Sequence, residues 1–445
     1  MPLAYPIVDT GQSHCYSDNQ QIRCPNPGQP FNGQDAQHAQ HAPSYRDNGD
    51  GTISDLNTVL IWAKRRGDKM SWEDAVAGAK SFSVGGYNDW RMPTIKELYS
   101  LIQFNGNFNP QGGSAPFIDS NIFEFRYGDS SLGEREIDVQ DWSATEYVGT
   151  TMTHSAETVF GVNFADGRIK GYPKSDPRQG PKVLFVRYVR GNADYGVNQL
   201  VDSGGGIIND KATGLDWAQR DSAIGMNWQQ ALRWVEQKNR DNYLGHNDWR
   251  LPDAKELQSL VDYSAAPLAT NPSLRRPAID PLLQISQLED GDYPFFWSST
   301  THLDGPSQKQ GSSAVYIAFG TATGWMGQTP GSLQGGQMQK QNRGFGSDHD
   351  PRRSGPPGGN PPMQGNHRPP RGGEMQSGRM HGGQMGGQPP PNHSGEGLEL
   401  VDVHGAGAQR SDPKSGDADR FPYGRGPQGD VIRIDNYVRL VRDSD

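Results

Sequence analysis

Asn88-Asp89-Trp90-Arg91-Met92-Pro93-Thr94-Ile95-Lys96-Glu97-Leu98 returns 159 residues later as Asn247-Asp248-Trp249-Arg250-Leu251-Pro252-Asp253-Ala254-Lys255-Glu256-Leu257, with eight of eleven positions identical. A repeat of that period is domain-sized, so the chain carries two copies of one module. Pro93 and Pro252 cannot lie inside a helix, which places a helix start just after each. Thr94 and Asp253 are good N-caps, and Glu97 and Glu256 stand three positions on, the pattern of a capping box. Ile95, Leu98, Leu101 and Ile102, matched by Ala254, Leu257, Leu260 and Val261, then mark one apolar helical face. Trp90 and Trp249 suit burial beside it. Arg91 and Arg250 are placed to pair with Glu97 and Glu256. Fold maintenance explains these residues better than a catalytic Arg/Glu pair does.

The repeat extends outward in both directions. Trp62 and Trp217 each end a strand-like run, and Ser71-Trp72 and Asn227-Trp228 open helices with capping residues. Asp141-Trp142-Ser143-Ala144-Thr145 is echoed by Phe296-Trp297-Ser298-Ser299-Thr300, and Pro116-Phe117-Ile118-Asp119 by Pro277-Ala278-Ile279-Asp280. Alternating runs follow, Val159 to Phe164 and Val315 to Phe319. Each module closes on an Arg-rich strand, residues 183–190 and 431–442. Arg187 and Arg439 are 252 apart, whereas Trp62 and Trp217 are 155 apart, so module two has taken an insertion of 97 residues before its last strand. The expected organisation is an N-terminal arm over 1–43, module one over 44–192, and module two over 198–445 interrupted at 327–397. The fold class is α+β, each module two helices plus antiparallel sheet.

Most of the insertion is residues 327–397, whose 71 positions include 19 Gly and 11 Pro and no Val, Ile, Trp or Tyr. That composition predicts disorder, because too little apolar surface exists to offset chain entropy. Met375, Met380, His381 and Met385 are its densest run of thioether and imidazole groups, a set that suits copper. A flexible linker, or a segment that orders on a partner, is the plainer reading.

Net charge is −9, which argues against general nucleic-acid binding. No apolar run is long enough to span a membrane, and the first residues show no signal-peptide pattern. The only cysteines, Cys15 and Cys24, lie close together in the polar first segment, where a local disulfide and an oxidising compartment are the favoured reading over two free thiols. Asp47, Asp50 and Asp55 around Asp50-Gly51 look faintly like a calcium loop, but position one would be Arg46 and position twelve Asn57, so a plain hairpin is expected.

The Asp-Trp-Arg-Leu-Pro-x-x-Lys-Glu-Leu core, the Trp-Ser-Ser-Thr stretch and the closing strand together resemble the Lcl C-terminal domain, a bacterial family named for a collagen-like adhesin. The resemblance covers about residues 45–192 and 198–442, apart from the insertion. The core is also similar to that of formylglycine-generating enzymes, which implies a C-type-lectin-like fold. That enzyme works through a redox cysteine pair in its domain, and no cysteine follows Cys24 here, which excludes its activity. The calcium-sugar motifs of C-type lectins are absent too. The resemblance implies a secreted or cell-surface module, extracellular or periplasmic, that binds glycan or surface protein. A structural subunit that self-associates is the alternative, and an enzyme is the least favoured class. Asn163, Asp166, Arg168 and Tyr172 in module one, and Tyr316 and Trp325 in module two, are the candidate ligand-facing residues, expected on loops after the Trp-Ser stretch.

Overall fold

The computed structural model describes residues 3–152, 156–176, 180–327 and 397–445. An N-terminal segment carries the hairpin β1 (Cys15–Tyr16) and β2 (Gln21–Ile22), closed by the Cys15–Cys24 disulfide. Module one then runs β3 (Tyr45–Asp47), β4 (Thr52–Asp55), β5 (Leu60–Ala63), α1 (Trp72–Ala79), α2 (Ile95–Ser100), β6 (Asp141–Glu146), β7 (Thr158–Asn163), β8 (Arg168–Pro173), the short pair β9 (Ser175–Asp176) and β10 (Gly180–Pro181), and β11 (Val189–Gly191). Module two runs β12 (Leu200–Gly204), β13 (Ile207–Asp210), β14 (Leu215–Ala218), α3 (Trp228–Arg240), α4 (Ala254–Ser259), β15 (Phe295–His302), β16 (Ser313–Ala318), β17 (Thr323–Gly327), β18 (Leu398–Asp402), β19 (Gln409–Pro413) and β20 (Val441–Asp443).

Each module closes on itself in the same way. The three opening strands form a meander, and the last strand of the module returns to pair with the third. The order is β11-β5-β4-β3 in module one and β12-β13-β14-β20 in module two, with Val189 opposite Trp62 and Val441 opposite Trp217. The capping boxes form at Thr94 with Glu97 and at Asp253 with Glu256. Arg91 grips Glu97 with both terminal nitrogens, and Arg250 reaches Glu256. Trp142 and Trp297 donate to the carbonyls of Met70 and Met226, and Trp72 and Trp228 to those of Ser143 and Ser298. The two Trp90-type rings are both buried, each donating to a nearby tyrosine carbonyl, Tyr87 or Tyr243. Two differences explain the uneven spacing of the repeat. α3 has 13 residues against 8 in α1, which pushes Asn247 to 159 residues after Asn88, and the stretch from Leu257 to Trp297 is 40 residues against 44 from Leu98 to Trp142, which restores 155 at the tryptophans.

The modules are not beads on a string. Strands β6, β7 and β8 of module one and β15, β16 and β19 of module two join into one six-stranded sheet, β15-β16-β19-β8-β7-β6, in which Gln409 of β19 lies opposite Ile169 of β8. Ile95, Leu98, Phe160 and Ile169 of module one share a single buried cluster with Leu257, Leu260, Val315 and Ile317 of module two. The helices α2 and α4 meet across the join with reciprocal bonds. Lys96 donates to the Ser259 carbonyl at 2.7 Å, and Lys255 donates to the Ser100 carbonyl at 2.9 Å.

Two expectations need correction. The first 43 residues are not a free arm. Tyr5, Val8, Thr10, Gln12 and Asp35 are buried. The Gln12 side chain donates to the carbonyls of Phe104 and Thr301, and Asp35 accepts from the hydroxyls of Thr10 and Thr300. Polar composition misled here because the segment pairs its amides and carboxyls with the backbones of both modules, which leaves them satisfied inside. Nor does the insertion lie just before the last strand. It interrupts the turn between β16 and β19, whose counterpart in module one is the Asp166-Gly167 turn, and it leaves and re-enters through the paired ends Gly327 and Leu398 of the β17–β18 ribbon.

Candidate functional site

Among the described residues, the β17–β18 ribbon also shapes a partly exposed aromatic surface. Trp325 lies on β17 directly opposite Leu400 of β18, so both side chains project from one ribbon face. Leu400 is 46% exposed. The loop Phe421-Pro422-Tyr423-Gly424-Arg425-Gly426-Pro427-Gln428-Gly429 runs along the other edge of β17, with the Trp325 amide donating to the Gly429 carbonyl at 2.9 Å. Tyr423 stands edge-on to the Trp325 indole, 6.2 Å between ring centres at 86°. The Arg425 guanidinium lies 5.0 Å from the Phe421 ring. Trp325, Phe421 and Tyr423 are half-buried and Arg425 is exposed. The Trp325–Tyr423 pair and the Phe421–Arg425 pair thus present partly exposed aromatic rings with an exposed cation along the ribbon edge and its loop.

Glycine makes this packing achievable. A side chain at Gly424 would meet the Gly429 carbonyl oxygen at 2.1 Å, and one at Gly324 would meet that of Gln428 at 2.2 Å. Gly424 also holds a φ of +69°, which an L side chain adopts only with strain. The loop is pinned at its end by Asp430. Its backbone exchanges two 2.8 Å bonds with Arg425, and its carboxylate pairs with Arg410 and accepts from His404 Nε2 at 2.7 Å. Burial would raise the Asp430 pKa, but the Arg410 guanidinium and His404 outweigh it and hold the carboxyl below the usual range. Burial and Arg410 pull His404 down to about 4, so its ring is neutral at neutral pH. At the foot of the ribbon Asp402 accepts from the Tyr147 hydroxyl of module one at 2.6 Å, and burial lifts that carboxyl to about 6.

Of the six residues expected to face a ligand, the structure leaves one at the surface. Trp325 is on the partly exposed ribbon surface. Of the other five, Asn163, Asp166, Tyr172 and Tyr316 are buried, and Arg168 is half-buried with its guanidinium taken up in ion pairs. Asn163 is fully buried, its amide donating to the Ile137 carbonyl at 2.9 Å. Asp166 is buried and pairs with Arg168 at 3.1 Å. Arg168 reaches across the modules to Asp304. Tyr172 is buried against Trp142, and Tyr316 stacks on Phe295 at 4.4 Å. The error was to read the Asp166-Gly167 turn as a free loop, when it is folded into the join between the two modules. Sequence reasoning missed Phe421, Tyr423 and Arg425. The signal that could have found them is an aromatic and arginine run spaced by glycine and proline inside an otherwise strand-forming stretch.

The carboxylates around the first hairpin do not converge. Asp47 pairs with Lys64 at 2.6 Å, Asp50 takes the amide and hydroxyl of Thr52, and Asp55 takes the amides of Asn57 and Thr58. They serve a plain hairpin, in which Tyr45 lies opposite Asp55. Among the described residues no group of three or more His, Cys, Asp or Glu side chains is arranged to hold a metal ion. Met375, Met380, His381 and Met385 lie outside the described residues. His302, a titratable residue of module two, is buried between the Ser411 hydroxyl and the Asp166 carbonyl, with burial lowering it to about 4.

Among the described residues no helix is long and apolar enough to cross a membrane. Residues 51–190 and 206–335 each match the model of the Lcl C-terminal domain. No curated protein and no solved structure matches the chain.

Proposed function

We propose that this chain, which belongs to the Lcl C-terminal domain family and carries two tandem copies of its domain, is a non-enzymatic binding protein of adhesin or lectin type. It works outside the cytoplasm, secreted or at a cell surface, and recognises glycan or surface protein. The observation that carries this reading is the partly exposed aromatic surface of Trp325, Phe421 and Tyr423 with the exposed Arg425 beside it. Half-exposed aromatic faces with a polar edge bind the apolar faces of sugar rings or partner side chains at low entropic cost. The single disulfide supports an oxidising location. A C-type-lectin-like plan for each module is supported by the closing strand that returns to the opening meander.

The test is retention on a glycan array and on immobilised extracellular-matrix protein. Trp325→Ala and Tyr423→Ala should each reduce retention at least tenfold while leaving the circular dichroism spectrum unchanged. Retention unaltered by both substitutions would overturn the assignment of this surface.

A structural role in a surface assembly is the second reading, favoured by the ribbon that presents the insertion at its paired ends. It predicts polymers in the absence of any added ligand. Copper binding by the Met/His-rich run is a separate, lesser proposal. Protein purified without a histidine tag should then carry stoichiometric copper, and a content under about 0.2 per chain would end it.

A further inference from the structure

Lys96 of α2 is the one lysine in the repeated motif that meets a side-chain amide. Its Nζ lies 2.8 Å from Oδ1 of Asn198, on the segment that joins module one to module two. The Nδ2 of that same amide is 2.7 Å from Oδ2 of Asp210. The other oxygen of Asp210 is fixed by the amides of Gln199 and Ala212, at 2.8 and 3.1 Å. Tyr5, itself buried, places its ring 5.8 Å from the lysine nitrogen. Lysine, amide and carboxylate are thus held in line in a largely desolvated setting. We propose that Lys96 and Asn198 form an intramolecular isopeptide bond, with Asp210 positioned to carry the proton to the leaving nitrogen.

The balance is simple. The neutral Lys96 amine attacks Cγ of Asn198. A bond forms between Nζ and Cγ, and the Cγ–Nδ2 bond breaks. A proton lost from Nζ passes through Asp210 to Nδ2, which departs as ammonia. No oxidant or further reactant is required. Asp210 accepts from Nδ2 as a carboxylate, so it acts first as the base that takes the proton lost from Nζ and only then as the acid that delivers it to the leaving nitrogen it already touches. Proximity of this kind supplies most of the acceleration for a reaction between two otherwise inert groups. Burial brings Lys96 down to about 8, so a usable fraction of the amine is unprotonated near neutral pH, the usual route to a nucleophilic lysine.

Module two provides an internal control. Lys255, the counterpart of Lys96, donates to the backbone carbonyls of Asp9 and Ser100. Its neighbour Asp55 is the counterpart of Asp210, but the position equivalent to Asn198 is Pro43. One staple is expected, at Lys96, and none at Lys255. It would tie α2 of module one covalently to the first residues of module two.

The experiment is the intact mass of the full-length chain, disulfide in place. The linked protein should weigh about 17 Da less than the disulfide-bonded sequence, the mass of ammonia. Trypsin should release a branched peptide joining Lys96 to Asn198. Asn198→Ala, a small change at a half-buried position, should restore the missing mass. Asn198→Asp should link with loss of water instead, about 18 Da. Wild-type protein at its full mass after days at pH 8.5, with no branched peptide, would overturn the proposal.

Discussion

Val59 shows what a single residue reveals when the chain contains its own comparison. It sits at φ +62° and is 70% exposed, while its counterpart in module two, Gly214, holds φ +72°. A β-branched residue in the left-handed region is strained by about 1–2 kcal/mol, and glycine there gives back about 0.5–1 kcal/mol in unfolded-state entropy. Val59→Gly should therefore stabilise the protein by about 1 kcal/mol, read as a higher urea midpoint. Gly214→Val should do the reverse and more, since its side chain would meet Leu3 at 3.3 Å. The buried arginines make a second residue-scale case. Arg187 donates to the carbonyls of Ala63, Lys64 and Glu124, and Arg439 to those of Ala218, Gln219 and Gln284. Burial lowers both guanidinium groups, to about 9 and about 10. Each knots the end of one strand to two loops. Arg439→Met would remove the side-chain partner of three carbonyls, that of buried Ala218 among them, and should destabilise by about 1–3 kcal/mol, measured by the same denaturation.

At the scale of elements, the ribbon base makes a prediction with a definite sign. The Asp402 carboxyl rises to about 6 in the folded protein because it is buried, against about 3.9 when unfolded. Between those values the folded state holds more protons than the unfolded state, so this group's contribution is greatest at low pH and is lost as pH climbs toward 6. Asp402→Asn lacks that slope. Its stability relative to wild type should rise between pH 4 and 6 and stay level above, and a flat difference across that window would refute the assignment. The same ribbon marks where sequence reading stopped. The helices were legible because capping boxes and proline are local signals, and Thr94 and Asp253 start them as expected. The tryptophans were legible because size and repetition both demand burial. The candidate site was not, because it depends on which loop folds over which strand. Asp166 and Arg168 have the composition of a surface turn but close a buried contact to Asp304, while Tyr423 meets Trp325 only because a distant glycine-rich loop lies beside β17. Pairings 98 residues apart, like that one, leave no periodicity in the chain.

At the scale of the whole molecule, the two modules share one continuous sheet and one buried cluster. The six-stranded sheet continues through β8 and β19, and a separated module would expose one of those strands as a bare edge. The shared cluster around Leu98 and Leu257 would open at the same time. Lys96 and Lys255 would each lose the carbonyl that the other module supplies. The N-terminal segment, wedged against both through Gln12, would lose half its partners. These contacts act together, so the full chain should unfold in one calorimetric transition whose van't Hoff and calorimetric enthalpies agree. Residues 44–192 expressed alone should show no sharp transition and should aggregate on concentration. A cooperative, monomeric module one, or two separated transitions in the intact protein, would mean that the continuous sheet joins the halves without making their stability common.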